Sequence, residues 1–217
     1  MEVVIEDGRN QKDFEEGTRV LVDIFRSTTS IPIILHRGGA TRVIPTGSVS
    51  VARAMKREDP KRVLVGERFG LKVPGFDYNN SPPSELMGAD LQGREVIFTS
   101  TNGTKVLERI RNRGGRVFLG GSFVNFSKTV DAVSGGDRVF ITLSNRPDGG
   151  EADEDRIFGE FIREKLEGGE TLTSGATLRW SGGGAGGAPG ACHDGWPDGH
   201  RGSPLPRFCA RDGCTQR

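Results

Sequence analysis

The chain has 217 residues and a mass of 23.4 kDa, long enough to bury one sizeable core. Apolar residues make up 34% and charged residues 27%, which excludes a wholly disordered chain. Thirty basic residues stand against 29 acidic ones; a net charge of +1 argues against broad binding to nucleic acid or to an anionic membrane surface.

Val3-Val4-Ile5 suits an N-terminal strand, and Thr18 to Phe25 reads as a buried one. Ser27-Thr28-Thr29-Ser30 is a cluster of helix N-cap residues before Ile31 to Leu35. Pro32 suits the first turn of that helix, and Gly38-Gly39 suits its stop. Thr41 to Thr46 is a short strand, Ser48 caps a helix over Val49 to Arg57, and Lys61 to Val65 is the next strand. Arg94 to Thr99 precedes a helix from about Thr104 to Arg113. Arg116 to Leu119 precedes a helix over Val124 to Ser134. Asp137 to Leu143 precedes a helix over Ala152 to Leu166. Strand and helix alternate, so the expected fold is α/β: layered, with a largely parallel or mixed β-sheet and helices on both faces.

From about Ser174 no periodicity remains, and Ser181 to Gly190 is Gly-rich and cannot furnish a core. The boundary falls near residues 168–175, giving an α/β domain over 1–170 and a low-complexity tail over 171–217. Three readings of the tail stay open. It is a disordered extension, a natural C-terminus scrambled by a shift of reading frame, or a zinc site from Cys192, His193, His200, Cys209 and Cys214. The last lacks the paired knuckle spacing. All three cysteines lie in this tail, so the body has no disulfide framework and no thiol nucleophile. No stretch approaches the ~20 apolar residues of a membrane span, and the N-terminus lacks signal-peptide character. The expected compartment is the cytoplasm, with no membrane and no nucleic-acid partner; a homo-oligomer is left open.

In open α/β sheets, ligands sit beyond the carboxyl ends of the strands. The groups at those ends agree in kind: Asp23 with Arg26, Thr28 and Thr29; Glu67 with Arg68; Thr101-Asn102-Gly103-Thr104; Ser122 with Asn125; and Ser144-Asn145 with Glu154-Asp155. Hydroxyls and glycines at helix starts expose N–H groups to an anion, arginines clamp phosphate-like oxygens, and carboxylates suit a hard cation. P-loop, dinucleotide and nucleophile-elbow signatures are absent. The body's single histidine, His36, sits in a predicted helix and is expected to face solvent or play a structural part, so a Ser-His-Asp triad is not expected.

Six segments carry a family resemblance. Asp23 to Ser30, Gly66-Glu67-Arg68, Gly75 to Pro82, Thr99 to Thr104, Gly121 to Asn125, and Glu154-Asp155 with Gly159 resemble, in order, motifs of the 2-phosphosulfolactate phosphatases of coenzyme M biosynthesis. The resemblance implies a Mg2+-dependent phosphoric monoester hydrolase that cleaves 2-phosphosulfolactate, a small polyanion, to sulfolactate and phosphate. It implies catalytic parts for Asp23, Arg26, Glu67, Arg68 and Asp155. Metal ligands would come from Asp23, Glu67, Asp77, Glu154 and Asp155. Substrate contacts would come from Thr28, Thr29, Asn80, Ser81, Thr101, Asn102, Gly103, Thr104, Ser122 and Asn125. A phosphatase of another small phosphorylated acid and a non-catalytic binder of phosphometabolites are the alternatives. Whether water or Asp23 attacks phosphorus is left open.

Overall fold

A computed structural model of the chain describes residues 1–111 and 115–168. The tail, its cysteines and its histidines lie outside the described residues, as does the end of the helix expected to reach Arg113.

The strands divide between two four-stranded sheets. The first has the order β1 (Glu2–Asp7), β8 (Arg138–Leu143), β2 (Thr18–Val22) and β7 (Val117–Gly121), all parallel. The second has the order β3 (Arg42–Pro45), β6 (Glu95–Thr99), β4 (Val63–Arg68) and β5 (Leu71–Lys72), with only β5 antiparallel. The expected α/β class holds, and its strands are shared between two sheets rather than lying in one. Helix α1 (Ser27–His36) carries the chain from the first sheet to the second, and α3 (Gly103–Arg111) leads it back to β7.

Both faces of each sheet are covered, as near-continuous apolar strands require. In the first sheet, Val20, Val22, Ile141 and Leu143 bury against Phe158 and Ile162 of α5 (Asp153–Leu166) and Val130 and Val133 of α4 (Phe126–Val133). Leu21, on the opposite pleat, meets Val106, Leu107 and Ile110 of α3. In the second sheet, Val43, Val65, Val96 and Phe98 pack under Ile31 and Ile34 of α1. Leu64 and Ile97 face Ala52 of α2 (Val49–Glu58). Arg19 is fully buried within β2. Its Nε donates to Glu6 Oε1 at 2.9 Å, and its guanidinium lies 4.6 Å from the Phe140 ring centroid, so charge and apolar stem are both accommodated.

Two local expectations are corrected. Ser27 to Ser30 do not precede α1 but form its first turn, after an N-cap at Arg26 that makes no side-chain cap bond. Their hydroxyls serve tertiary contacts instead: Ser27 Oγ to Ser100 Oγ at 3.0 Å, Thr28 Oγ1 to the Gly121 carbonyl at 2.8 Å, and Ser30 Oγ to the Asn80 carbonyl at 3.1 Å. Pro32 therefore sits inside the helix rather than in its first turn. It cannot donate to the Thr28 carbonyl one turn back, and Ser122 Oγ donates to that carbonyl at 3.0 Å instead. Ser48 caps α2 as expected, its Oγ accepting from the Val51 N–H at 3.3 Å. His36 is exposed, as expected. Strand β5 and the 3-10 turn Pro83–Met87 were not foreseen; neither has the length that periodicity needs.

Candidate active site

The carboxyl ends of the two sheets open onto one pocket of about 190 Å3. It is lined by Asp23, Phe25 and Arg26 after β2, and by Glu67, Phe69 and Gly70 at the end of β4. Asn80 adds to it, as do Ser100, Thr101 and Asn102 after β6, and Asn145, Arg146, Pro147, Ala152, Glu154 and Asp155 between β8 and α5. The chain crosses between the sheets twice, and both crossings begin at this pocket.

Two of the pocket's buried carboxylates, Asp155 and Glu67, are held by backbone donors. Asp155 bridges two connections: Ile24 N–H donates to its Oδ1 at 2.9 Å and Asn145 N–H to its Oδ2 at 3.0 Å. Glu67 Oε1 accepts the Thr101 N–H at 2.6 Å, and its Oε2 accepts the Gly70 N–H and the Thr101 hydroxyl, both at 2.8 Å. Asp23 differs. Its backbone is pinned to Thr28 in both directions, at 3.0 and 3.1 Å. Its Oδ2 is buried without a hydrogen-bond partner among the described residues. Gly103 presses against that oxygen, where a Cβ would come within 2.0 Å of Oδ2 and 2.6 Å of Ser27 Oγ, so no larger residue fits.

Burial dominates the electrostatics. It pushes the Asp23 carboxyl up, the Glu67 charge adds to that, and the Ser27 hydroxyl and the N–H groups of Ser27 and Gly103 oppose it. Burial and then the Asp23 charge push Asp155 up to about 8, against the N–H bonds from Ile24 and Asn145. An acid raised in the folded state binds more protons there than when unfolded. Its stability contribution is therefore full below about pH 4 and lost as pH rises through about 8. Without divalent cations, the melting temperature of the wild-type protein should fall more steeply between pH 5 and 8.5 than that of Asp155→Asn. Parallel profiles from thermal denaturation would count against this.

The structure brings Asp23, Arg26, Glu67, Glu154, Asp155, Asn80, Thr101 and Asn102 to the pocket wall, and Gly103 behind Asp23. Several other expected residues are placed elsewhere. Arg68 does not line the pocket. Its Nη1 donates to the Glu67 carbonyl at 2.7 Å, and its Nη2 to the Gly47 carbonyl and Thr99 Oγ1 at 2.8 and 2.9 Å, which braces β4 against β6. Asp77 is half-exposed and accepts from the Leu64 N–H at 2.8 Å and Lys56 Nζ at 3.4 Å. The Thr28 hydroxyl is taken by the Gly121 carbonyl and that of Thr29 by Ile24. The Thr104 hydroxyl is taken by Ser100, and Asn125 Nδ2 donates to the Leu119 carbonyl. These residues and Ser122 support the pocket from behind, and Ser81 is not on its wall. Asn102 lines it, yet its Nδ2 donates to Ser144 Oγ at 2.9 Å and to the Asn145 carbonyl, tying the second sheet to the first.

Sequence reasoning did not assign Phe25, Phe69, Gly70, Arg146, Pro147 or Ala152 to the wall. Each lies within a few residues of a strand end or helix start already singled out, and that adjacency was the available signal.

Fold and site together define an α/β protein with a pocket lined by Asp23, Glu67, Glu154 and Asp155 together with Arg26 and Arg146, at the joint edge of two sheets. The family model for 2-phosphosulpholactate phosphatase matches residues 3–181. The chain belongs to that family. It is 48% identical over 170 residues to a probable 2-phosphosulfolactate phosphatase of Thermoplasma acidophilum, covering 78% of this chain and 74% of the relative. It is 46% identical over 164 residues to the protein of the same name from Thermoplasma volcanium, covering 76% and 74%. A more distant relative from Caldicellulosiruptor saccharolyticus is 41% identical over 119 residues, covering 55% and 48%.

Proposed function

We propose that the chain is a Mg2+-dependent phosphatase that hydrolyses 2-phosphosulfolactate to sulfolactate and phosphate. Family membership supports the reaction. The single structural observation that carries the reading is the unpartnered Asp23 Oδ2 in a pocket that also holds Glu67, Glu154 and Asp155.

A buried group of like charges needs a counter-ion, and an orphaned carboxylate oxygen marks where one would be held. Among the described residues no three His, Cys, Asp or Glu side chains gather as a metal cage. Mg2+ keeps several waters and takes one or two carboxylates plus substrate oxygens. Asp23 would hold the ion directly, with Asp155 or Glu154 reached through water. Mg2+ would neutralise developing phosphate charge and acidify a bound water.

The chain's own residues do the rest. Arg26 lines the pocket, half-buried, and its guanidinium makes no hydrogen bond or ion pair with the described residues. It is free to take phosphoryl or sulfonate oxygens in a fork. The amino ends of α1, α3 and α5 converge here and favour an anionic ligand. Asp23 would orient the attacking water, one of whose protons ends on the sulfolactate hydroxyl. No described helix is long and apolar enough to cross a membrane. We assign the reaction to the cytoplasm and, on the family's function, to coenzyme M assembly.

The test is phosphate release from 2-phosphosulfolactate by the 217-residue chain, with Mg2+ and with chelator. Mg2+-dependent release is expected, and tight binding with no release would favour a binder instead. Aspartyl attack would replace water attack if beryllium fluoride formed an acyl-phosphate mimic on Asp23. Arg26→Gln should raise KM about tenfold, the value of a charge-assisted contact. The melting temperature should not change, because the guanidinium supports nothing in the fold. Steady-state kinetics and calorimetry check both.

A further inference from the structure

The turn between β4 and β5 is built at a cost that folding does not explain. Arg68 pairs with Leu71, leaving a two-residue loop of Phe69 and Gly70 with φ of +54° and +81°. Positive φ at both central positions is what a type I′ turn demands, and Asn-Gly or Gly-Gly are its usual residues. Phenylalanine in that region is an outlier, because its Cβ crowds the backbone. Nor is the ring repaid by burial: Phe69 is 84% exposed. Its backbone is nonetheless tied to the site, its N–H donating to Thr101 Oγ1 at 2.7 Å while that hydroxyl donates to Glu67.

Phe69 lines the pocket, as does Phe25, itself 64% exposed. Arg26, next to Phe25 in the chain, brings its Nη2 to 3.9 Å from where a Cβ on Gly70, the neighbour of Phe69, would stand. The rest of the lining is mostly charged or polar, and both exposed phenylalanines are on it with Arg26, whose guanidinium makes no hydrogen bond or ion pair with the described residues. An ionic floor recognises the charged ends of a small acid. An aromatic rim recognises what those ends are attached to.

We propose that Phe69, with Phe25, forms an apolar rim that contacts the carbon chain of the bound phosphorylated acid, and that Phe69 sets the preference for a ligand with a carbon skeleton over a bare anion. The rim's contribution is the burial of its own phenyl surface and the ligand's methylene groups, together with the exclusion of water from the ionic contacts beneath. This rests on the reading of the pocket as the site for a phosphorylated acid.

The experiment is calorimetric titration of the full chain and of Phe69→Asn with two probes, sulfolactate and inorganic phosphate, in Mg2+. In the variant, sulfolactate affinity should fall about fivefold while phosphate affinity stays within about twofold. Its melting temperature should rise by about 2–4 °C as the turn is relieved. A structural role alone would move stability without separating the probes. Equal affinities in wild type and variant would overturn the proposal, as would an equal loss for both probes. A wild-type dimer that Phe69→Asn converts to a monomer with unchanged affinities would also overturn it, showing the ring to be a subunit contact. If the wild type bound neither probe, the reading of the pocket would fail and this proposal with it.

Discussion

Asp23→Asn should lose about 10^3-fold in turnover and yet melt at a higher temperature than the wild type in the absence of metal. The two effects share one cause. The Asp23 carboxyl is buried, its Oδ2 has no partner among the described residues, and the Glu67 charge opposes its ionisation. A buried charge held this way costs stability, and the amide removes the charge at nearly constant shape. What is lost is the oxygen that would meet the cation and the attacking water, worth roughly 10^2–10^4-fold in comparable sites. A third readout separates this from nonspecific damage. Mg2+ should raise the melting temperature of the wild type and not that of Asp23→Asn, since an ion stabilises only what binds it. Turnover in Asp23→Asn close to the wild-type rate would sink the assignment.

Strands with uniform burial were the most legible elements. Val20 to Val22 are apolar on both faces because helices cover both, Val139, Ile141 and Leu143 line the α5 face, and a run of β-branched and aliphatic residues says so without any partner being known. Their division between two sheets was not legible. Which strands pair is decided by where α1 and α3 cross, and neither helix carries its destination in its own residues. Arg19 shows a different limit. A cation in a buried strand is explained by Glu6 and Phe140, which arrive from two other strands, and by the Glu15 carbonyl and Phe14 ring just before it.

The site was legible in outline because its parts lie at strand ends, where a simple topological rule applies. Its inner division was not. Arg68 stands next to Glu67 in the chain, but successive strand residues point to opposite faces. One enters the pocket and the other braces Gly47 and Thr99. Thr28 and Ser122 look like anion-binding hydroxyls in sequence. In the fold they satisfy buried carbonyls, one of them exposed by Pro32. Hydroxyl residues near a pocket are equally suited to either duty, and only the orphaned carbonyls decide.

Asp155→Ala should cost about 3 kcal/mol of folding stability and most of the activity, although Asp155 is not the residue nearest the chemistry proposed here. Its two oxygens join Ile24, just after β2, to Asn145, just after β8. Removing the carboxyl strands two buried N–H groups, each worth about 1–3 kcal/mol, offset in part by relief of the desolvation of the carboxyl itself. The damage extends to the backbone. Asn145 holds φ at +55°, a conformation asparagine tolerates but does not prefer. It is kept there by its N–H on Asp155, its carbonyl under Asn102 Nδ2, and its Oδ1 accepting the Ala152 N–H at 3.3 Å. Without the first of these, the start of α5 and the strut from Asn102 lose their common anchor, and Asp23 loses the neighbour that positions the end of β2. Asp155→Asn retains one acceptor and should recover about half of the stability but little of the turnover, because the amide cannot accept from both N–H groups at once. Chemical denaturation and kinetics on the two variants check this. An alanine variant as stable as the wild type would show that the two N–H groups find other partners, and the bridge between β2 and β8 would lose its standing as the element that holds the site together.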